Sequence, residues 1–318
     1  MQLNPKIATV TLNPAIDQTV SVPGFRAGAV NRVVRSQLDP GGKGINVASF
    51  LADFGHSVAV TGFLGRENPE LFEQLFAAKT IADRFVRIAG STRIGIKIVD
   101  DECGQTTDVN FPGLAPGADD VQALFSAIEE LTASCAWFVL SGSIPTGVAP
   151  DIYADLVRLI RAKGRAVALD TSGEALKLAL RQAPNLVKPN IHELQELCGT
   201  SLSNHSTVVA AGRRILDQGV QSVVVSMGER GALFLEPRQA FLACPPEVPV
   251  QSTVGAGDAM VSGTVAGKLR GASLAECARL ATAFAAGAVG RVGAGLPSRE
   301  ALDALLKQVT IKDLNGLP

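Results

Sequence analysis

The chain has 318 residues, of which 47% are hydrophobic and 19% charged, so it can bury a large core and intrinsic disorder is excluded. Its formal net charge of −1 excludes a general attraction to nucleic acid or to an anionic membrane. The five scattered cysteines form no C-x-x-C pair, and we see neither a signal peptide nor an apolar stretch long enough to span a bilayer. These features predict a cytoplasmic protein without membrane or nucleic-acid partners.

The first part of the chain contains strands and helices interrupted by two segments of different character. Residues 6–12 form a continuous apolar run typical of a buried strand, and a helical pattern follows Gly44. Short strand-like segments at about 18–38 and 90–112 have few partners in a parallel core. We expect them to form a small separate sheet over the main body.

The second part alternates helices and short apolar strands. Helices are predicted at 119–131, 150–164, 173–183 and 206–219, each followed by a strand. This order indicates a parallel sheet with helices on both faces, hence the α/β class.

The stretch "STVGAGDAM", residues 252–260, precedes an apolar helix and packs three small residues ahead of a carboxylate. Gly255, Ala256 and Gly257 would let the amides at the helix N-terminus approach a phosphate closely. Asp258 would be repelled by that phosphate unless it accepts a proton from an attacking hydroxyl. The alternative is that Asp258 simply caps its helix.

Two familiar phosphate motifs are absent from the sequence. No stretch matches the Walker loop G-x-x-x-x-G-K-[ST], and Met260 stands where the dinucleotide fingerprint would end in glycine. The second absence argues against a nicotinamide-dependent oxidoreductase.

Further polar clusters follow strands or open helices, where open α/β sheets bind ligands. In "PGGKGINVA" the glycines Gly41 and Gly42 free the backbone, while Lys43 and Asn46 could hold a sugar or its phosphate. Asp17 could bind sugar hydroxyls or be a turn residue. Arg93 and Lys97 share one face of a strand, where they could meet an anion or be solvated.

Three other segments could border a ligand or be purely structural. Asn190 and Glu193 lie on one helix face, where Glu193 could orient a hydrated Mg²⁺ or complete a capping box. "VSMGERGA" could border a nucleotide or form a hairpin, and "LSGSIPTG" offers Ser141 and Ser143 after a strand.

Taken together and in this order, these segments resemble the ribokinase-like (PfkB) family of sugar kinases over nearly the whole chain. "PGGKGINVA" is similar to the family's N-terminal signature and "STVGAGDAM" to its more specific C-terminal one. The resemblance is to the phosphosugar branch. It implies a single kinase domain over residues 1–318 with a Rossmann-like three-layer αβα core, a mainly parallel sheet and a small β-sheet lid, often with a homodimer joined through the lids.

The resemblance also implies roles for individual residues. Asp258 would be the catalytic base, with Gly255, Ala256 and Gly257 forming an anion hole. The sugar phosphate would meet Asp17, Gly41, Gly42, Lys43, Asn46, Arg93 and Ser141. The nucleotide would meet Lys188, Asn190, Ser226, Gly228, Gly231, Ser252 and Thr253, with Glu193 near Mg²⁺ through water. Many members also use a monovalent cation such as K⁺. Ala259 stands where this branch often has serine, which changes neither the base nor the amides.

The expected activity is ATP-dependent phosphorylation of a ketohexose phosphate, with fructose 1-phosphate ranked first and fructose 1,6-bisphosphate as its product. Tagatose 6-phosphate and fructose 6-phosphate are the alternative substrates. A phosphosugar-binding regulator without turnover is the alternative outside catalysis, and the presence of Asp258 argues against it.

Overall fold

A computed structural model describes residues 6–291 and 293–317. The large sheet runs through the middle of the molecule. Its strands are β1 (Ile7–Thr11), β4 (Val58–Gly65), β5 (Ala82–Asp83), β6 (Val86–Ile88), β9 (Trp137–Ser141), β10 (Ala166–Asp170), β11 (Leu186–Val187), β12 (Ser222–Ser226), β13 (Ala232–Glu236), β14 (Gln239–Cys244) and β15 (Thr310–Asp313). Their order is β15-β14-β13-β12-β11-β10-β9-β1-β4-β5, with β6 also paired to β4.

The sheet is parallel from β12 to β5 and antiparallel from β12 to β15. All five residues of β1 are buried, because this strand lies between β9 and β4 with helices above and below. Parallel strands end at the same edge, so the residues that follow β1, β9, β10, β11 and β12 come together there. The predicted α/β class with a mainly parallel sheet is confirmed.

Ten helices of the described residues cover the two faces. They are α1 (Lys43–Asp53), α2 (Glu70–Ala78), α3 (Ala118–Leu131), α4 (Ile152–Ala162), α5 (Gly173–Leu180), α6 (Ile191–Cys198), α7 (His205–Leu216), α8 (Ala256–Leu269), α9 (Leu274–Val289) and α10 (Arg299–Gln308). One apolar cluster joins one sheet face to α3–α7, and a second joins the other face to α1, α2 and α8–α10. Side chains of β4 point to both faces of the sheet. Ala59 and Phe63 belong to the first cluster, and their neighbours Val60 and Leu64 belong to the second.

A separate four-stranded sheet has the order β3-β2-β7-β8, with β2 at Ala15–Ser21, β3 at Arg35–Gly41, β7 at Ile94–Asp100 and β8 at Gln105–Asn110. These strands come from the two segments that lacked partners in the parallel core. The first segment, predicted at about 18–38, is not extended throughout, because β2 ends at Ser21 and β3 begins at Arg35. That this sheet works as a lid stays a prediction.

The faces of the small sheet differ in character. The strand register places Asp17 beside Gly95 and two residues from Lys97, so these lie on one face. The opposite face carries the exposed apolar side chains Leu38, Ile94, Val109 and Phe111. No helix in residues 6–291 or 293–317 combines the length and the hydropathy that a bilayer crossing needs.

Candidate active site

The glycine-rich segment before α8 ends in a left-handed turn. Gly255 occupies the N-cap position with φ +82°, a conformation that strains residues with a side chain. Asp258 is therefore the third residue of the helix and not its cap, so the capping alternative for Asp258 is wrong. No side chain caps the first-turn amides, which is the arrangement that favours anions at helix N-termini.

Asp258 is 5% exposed and sits at the junction of α8 and α1. Asn46 donates a hydrogen bond from Nδ2 to Asp258 Oδ2 at 2.8 Å. Burial, followed by the negative charge of Asp170, raises the pKa of Asp258 to about 7, against the lowering effect of Asn46, Lys43 and Lys188. A carboxylate with this pKa is suited to accept a proton near neutral pH.

The start of α1 is placed by a close approach to β1. A Cβ on Gly44 would lie 2.5 Å from Thr11 Oγ1 and 2.8 Å from the Val10 carbonyl oxygen, so only glycine fits there. This contact brings Lys43 and Asn46, three positions apart on one helix face, to the sheet edge.

Asp170, the last residue of β10, joins two cations beneath α8. Lys43 Nζ and Lys188 Nζ each lie 3.3 Å from Asp170 Oδ1, and Asp170 is 1% exposed. Burial would raise the pKa of Asp170, but the two lysines hold it below its usual value. A Cβ on Gly257 would lie 3.3 Å from Lys188 Nζ, which places this ammonium against the first turn of α8.

Lys43 also responds to the acidic groups around it. Burial lowers its pKa, but the charges of Asp170, Asp258 and Glu193 outweigh this effect and raise it. Lys43 is thus a cation electrostatically coupled both to Asp170 and Asp258 and to Glu193 at the start of α6.

The residues from the small sheet form a second polar cluster. Lys97 Nζ lies 2.6 Å from Asp17 Oδ2, and the Lys97 side chain is only 19% exposed, so the solvated alternative for Lys97 is wrong. A Cβ on Gly41 would lie 2.6 Å from Asp17 Oδ2, so the glycine leaves room for that carboxylate. Gly42 continues this turn as the N-cap residue of α1, with φ +132°.

Arg93 reaches the same region from the start of β7. Its Nε donates to Asn13 Oδ1 at 3.2 Å and its Nη1 to Asn110 Oδ1 at 3.4 Å. Asn13 in turn donates to Ser143 Oγ at 3.1 Å, which links β1 to the loop after β9.

Ser141 lies deeper than the sequence suggested. The strand continues one residue further than predicted, so Ser141 is the last residue of β9 and fully buried, with its side chain on the sheet face beneath α1. Substrate binding by Ser141 stays a prediction. The exposed serine of this segment is Ser143.

The predicted nucleotide residues lie along the ends of β11 and β12. Asn190 Oδ1 accepts hydrogen bonds from the Glu193 and His192 amides, and Glu193 Oε2 accepts from the Asn190 amide, which is the capping box. Ser226 pairs with Asn190 in an isolated bridge. The capping alternative is therefore correct for this pair, and it fixes Glu193 at the edge of the site.

The hairpin alternative is also correct for "VSMGERGA". Gly228 and Gly231, with φ +63° and +88°, flank the turn between β12 and β13, which run antiparallel. Ser252 and Thr253 lie in the loop before α8, where the Ser252 amide donates to the Val289 carbonyl at 3.2 Å.

Within the described ranges, no group of three or more His, Cys, Asp or Glu side chains is arranged to hold a metal ion. Mg²⁺ keeps several waters and is commonly bound by one or two carboxylates together with substrate phosphates. The single carboxylate of Glu193 fits a Mg²⁺ ion that is held mainly by waters and substrate phosphates, and it does not fit a site built entirely from protein ligands.

The sequence reasoning missed Asp170 and the partner of Lys97. Asp170 ends a buried strand in "RAVALD", and an acidic residue at that position was the available signal. Lys97 was noticed but has a partner, Asp17, 80 positions away in the chain.

The comparisons with known proteins agree with one another. The family described as "pfkB family carbohydrate kinase" matches residues 1–301. The 1-phosphofructokinase of Rhodobacter capsulatus is 52% identical over 97% of this chain and 98% of that protein.

Solved structures show the same similarity. Phosphofructokinase-2 from Escherichia coli in complex with fructose-6-phosphate has a TM-score of 0.88 at 30% identity, covering 95% of this chain and 98% of that one. The same protein in complex with potassium also has a TM-score of 0.88, at 31% identity and the same coverage.

Proposed function

The chain belongs to the pfkB family of carbohydrate kinases, and from this premise we propose that it phosphorylates fructose 1-phosphate with ATP to give fructose 1,6-bisphosphate. The observation that carries the proposal is Asp258, a buried carboxylate with a pKa of about 7 at the third position of a helix whose N-cap is glycine. The substrate follows from the 52% identical relative, whose name specifies it.

The chemistry balances without a covalent intermediate. Asp258 accepts the proton of the acceptor hydroxyl as that oxygen forms a bond to the γ-phosphorus of ATP. The bond from this phosphorus to the bridging oxygen breaks, and ADP leaves with the electron pair. Such a transfer depends on positioning and on stabilisation of charge.

The amides of Gly255, Ala256 and Gly257 are proposed to stabilise the charge on the transferring group, with Lys188 beside them. These amides belong to the N-terminus of α8, and a helix N-terminus carries partial positive charge. The apposition of Gly257 and Lys188 supports this role, because it puts a cation and the amides on one side of the same space.

The sugar phosphate is proposed to lie between α1 and the small sheet. Asp17 would accept hydrogen bonds from hydroxyls, while Arg93 would bind the existing phosphate through its planar fork. Lys43, Asn46 and the turn at Gly41 and Gly42 would line the same space.

The nucleotide is proposed to lie along the ends of β11 and β12. Its neighbours would be Lys188, Asn190, Ser226, Gly228, Gly231, Ser252 and Thr253. Mg²⁺, held through water near Glu193, would neutralise phosphate charge when bound. A monovalent cation is proposed as well, supported by the neighbour solved with potassium.

The small sheet is proposed to close over the sugar and to join two chains. A lid would exclude water, which otherwise competes for the phosphoryl group. The face of the small sheet opposite Asp17, here called its outer face, exposes apolar side chains that support a homodimer through the lids. They are Leu38, Ile94, Val109 and Phe111. The five scattered cysteines, which include no C-x-x-C pair, support a cytoplasmic location.

A coupled assay of ADP release tests the proposal. Fructose 1-phosphate, fructose 6-phosphate and tagatose 6-phosphate are compared at equal concentrations, and kcat/KM should be highest for fructose 1-phosphate. Fructose 6-phosphate is the second candidate, since it is named with the Escherichia coli structural neighbour. The absence of turnover with all three would contradict the kinase assignment.

The base is tested by Asp258→Asn. This change should lower kcat by about 10²–10⁴-fold, the usual contribution of a general base, while calorimetry should show unchanged nucleotide affinity. Near-normal turnover in the variant would exclude Asp258 as the base.

A further inference from the structure

Three buried polar residues lie side by side at the ends of neighbouring parallel strands. The register pairs Thr11 of β1 with Ser141 of β9, and Ser141 with Asp170 of β10. Paired residues of parallel strands share a face, here the one against which Gly44 of α1 packs. Their atoms Thr11 Oγ1, Ser141 Oγ and Asp170 Oδ2 are buried and have no hydrogen-bond partner among the described residues.

Asp170 is the charged member of this row, and its two oxygens face different surroundings. Oδ1 lies 3.3 Å from both Lys43 Nζ and Lys188 Nζ, while Oδ2 faces the interior. Burying an unpaired carboxylate lowers the stability of the fold. The ion pairs of Asp170 with two lysines offset this cost and hold all three groups in one geometry.

The two lysines approach the site from different elements. Lys188 follows β11 and lies against Gly257, whereas Lys43 opens α1 and feels the charge of Asp258. Lysine side chains are flexible point charges on four-carbon stems. Both lysines are also electrostatically coupled to a second buried carboxylate, Asp258.

We propose that Asp170 is a positioning residue that holds Lys43 and Lys188 at the first turn of α8 and keeps both ammonium groups away from the base. This inference rests on the proposed phosphoryl transfer. It assigns Asp170 no contact with substrate, because the residue is 1% exposed.

The two carboxylates compete for the same cations. While Asp170 retains the lysines, Asp258 stays free to accept the proton of the sugar. Without that competition, the lysines would pair with Asp258, stabilise its ionised form and make it a weaker base. The charged groups facing Asp258 are Lys43 of α1, Asp170 of β10 and Lys188 after β11, with the neutral Asn46 as its hydrogen-bond donor.

The first experiment compares Asp170→Asn with Glu236→Gln. Glu236 accepts a hydrogen bond from Lys268 Nζ at the opposite end of the sheet, so its variant also removes a lysine's carboxylate partner but lies outside the site. Asp170→Asn should lower kcat by about 10- to 100-fold, typical of a lost supporting contact. Glu236→Gln should retain kcat.

The pH profile separates an effect on the base from a merely structural one, and the double-mutant cycle then separates lysine positioning from the loss of the charge of Asp170, which itself raises the pKa of Asp258. In Asp170→Asn, the midpoint of the rise of kcat/KM with pH should move to lower pH, since the base becomes more acidic. An unchanged profile would overturn the proposal. So would an increased Mg²⁺ requirement without a pH shift, which would place Asp170 at the metal.

A double-mutant cycle tests the link to Lys43. If Asp170 acts through Lys43, Asp170→Asn should reduce kcat at least threefold less in a Lys43→Met background than in the wild type. Equal reductions in both backgrounds would contradict the inference.

A second route applies if Asp170→Asn does not fold. Asp170→Asn combined with Lys188→Met keeps the local charge balanced, and its kcat is compared with that of Lys188→Met alone. Equal values would overturn the proposal. Thermal unfolding and calorimetric nucleotide binding check each variant independently of turnover. An inactive wild type would instead refute the proposed function, which separates the two failures.

Discussion

Asn46 donates a hydrogen bond to Asp258 at 2.8 Å although 212 positions separate the two residues in the chain. The bond stabilises the ionised carboxylate and opposes the effect of burial on its pKa. It therefore helps to set the pH at which the base becomes available.

Replacing Asn46 by leucine should raise the pKa of Asp258 further above its present value of about 7. The expected result is a kcat/KM that is about 3- to 10-fold lower at pH 7 and recovers in part at higher pH, because each pKa unit changes the ionised fraction up to tenfold. The pH profile of kcat/KM measures this shift. A uniform loss of activity at every pH would show that Asn46 acts only on substrate.

The raised pKa of Asp258 also predicts a pH-dependent stability difference. The folded pKa of about 7 exceeds the ordinary value of 3.8, so the folded state binds more protons than the unfolded state between these pH values. Asp258 therefore destabilises the fold increasingly as pH rises through this window, and fully above pH 7. Asp258→Asn should be more stable than the wild type at pH 8, on the order of a few kcal/mol, with the difference vanishing near pH 4.

Asp100 of the small sheet is a control, because its effect on the pH dependence of stability should have the opposite sign to that of Asp258. Burial would raise its pKa, but four backbone N–H groups lower it below the usual value. Asp100→Asn should therefore lose stability at pH 8. Denaturant unfolding at both pH values measures the two variants, and a destabilised Asp258→Asn at pH 8 would contradict the prediction.

Arg93 is expected to recognise the phosphate already present on the sugar. Arg93→Lys keeps the charge but loses the planar fork, so KM for fructose 1-phosphate should rise about 10- to 100-fold with kcat nearly unchanged. Arg87→Lys, at an arginine paired with Glu73 and Asp83, is the matched control. Steady-state kinetics that show a loss confined to kcat would refute this role.

Gly44 is expected to tolerate no side chain. The Cβ of Gly44→Ala would meet Thr11 Oγ1 at 2.5 Å and the Val10 carbonyl oxygen at 2.8 Å, so α1 must move from β1. Such overpacking costs about 1–3 kcal/mol, and kcat should fall because Lys43 and Asn46 move with the helix. Gly316→Ala, where a Cβ meets nothing within 4 Å, is the control. Unchanged melting temperature and kcat would contradict the packing argument.

The outer face of the small sheet is expected to mediate dimerisation. Phe111 is 50% exposed beside Leu38, Ile94 and Val109, and Phe111→Arg should convert a dimer into monomers because a buried unpaired charge is costly. Analytical ultracentrifugation measures the mass, with the exposed Gln122→Arg as a control. A wild-type monomer, or a dimer that survives the change, would exclude this interface.

Alternation of helices and strands made the central sheet predictable, because the pattern in each segment reflects burial on both faces. The glycine-rich motifs were predictable too, since Gly255 adopts a conformation that few other residues tolerate. Local sequence thus contained the fold class and the position of Asp258.

The roles of Ser141 and Asp170 could not be read in the same way. Both end parallel strands, and their side chains point under α1 instead of toward the open edge. Which way a strand's last residue faces depends on where the strand ends, and local sequence fixes that boundary poorly. The ion pairs of Asp170 and Asp17 join distant segments, so no local pattern could indicate them.

The position of β1 has a consequence for how the protein forms. This first strand lies between β4 and β9, and its second neighbour, Trp137–Ser141, comes about 130 residues later in the chain. During synthesis, one edge of a strand that is fully buried in the fold therefore stays unpaired until β9 is made. Pairing over such a distance slows folding and exposes an edge open to aggregation. A nascent chain released before β9 is made should therefore depend on chaperones to remain in solution.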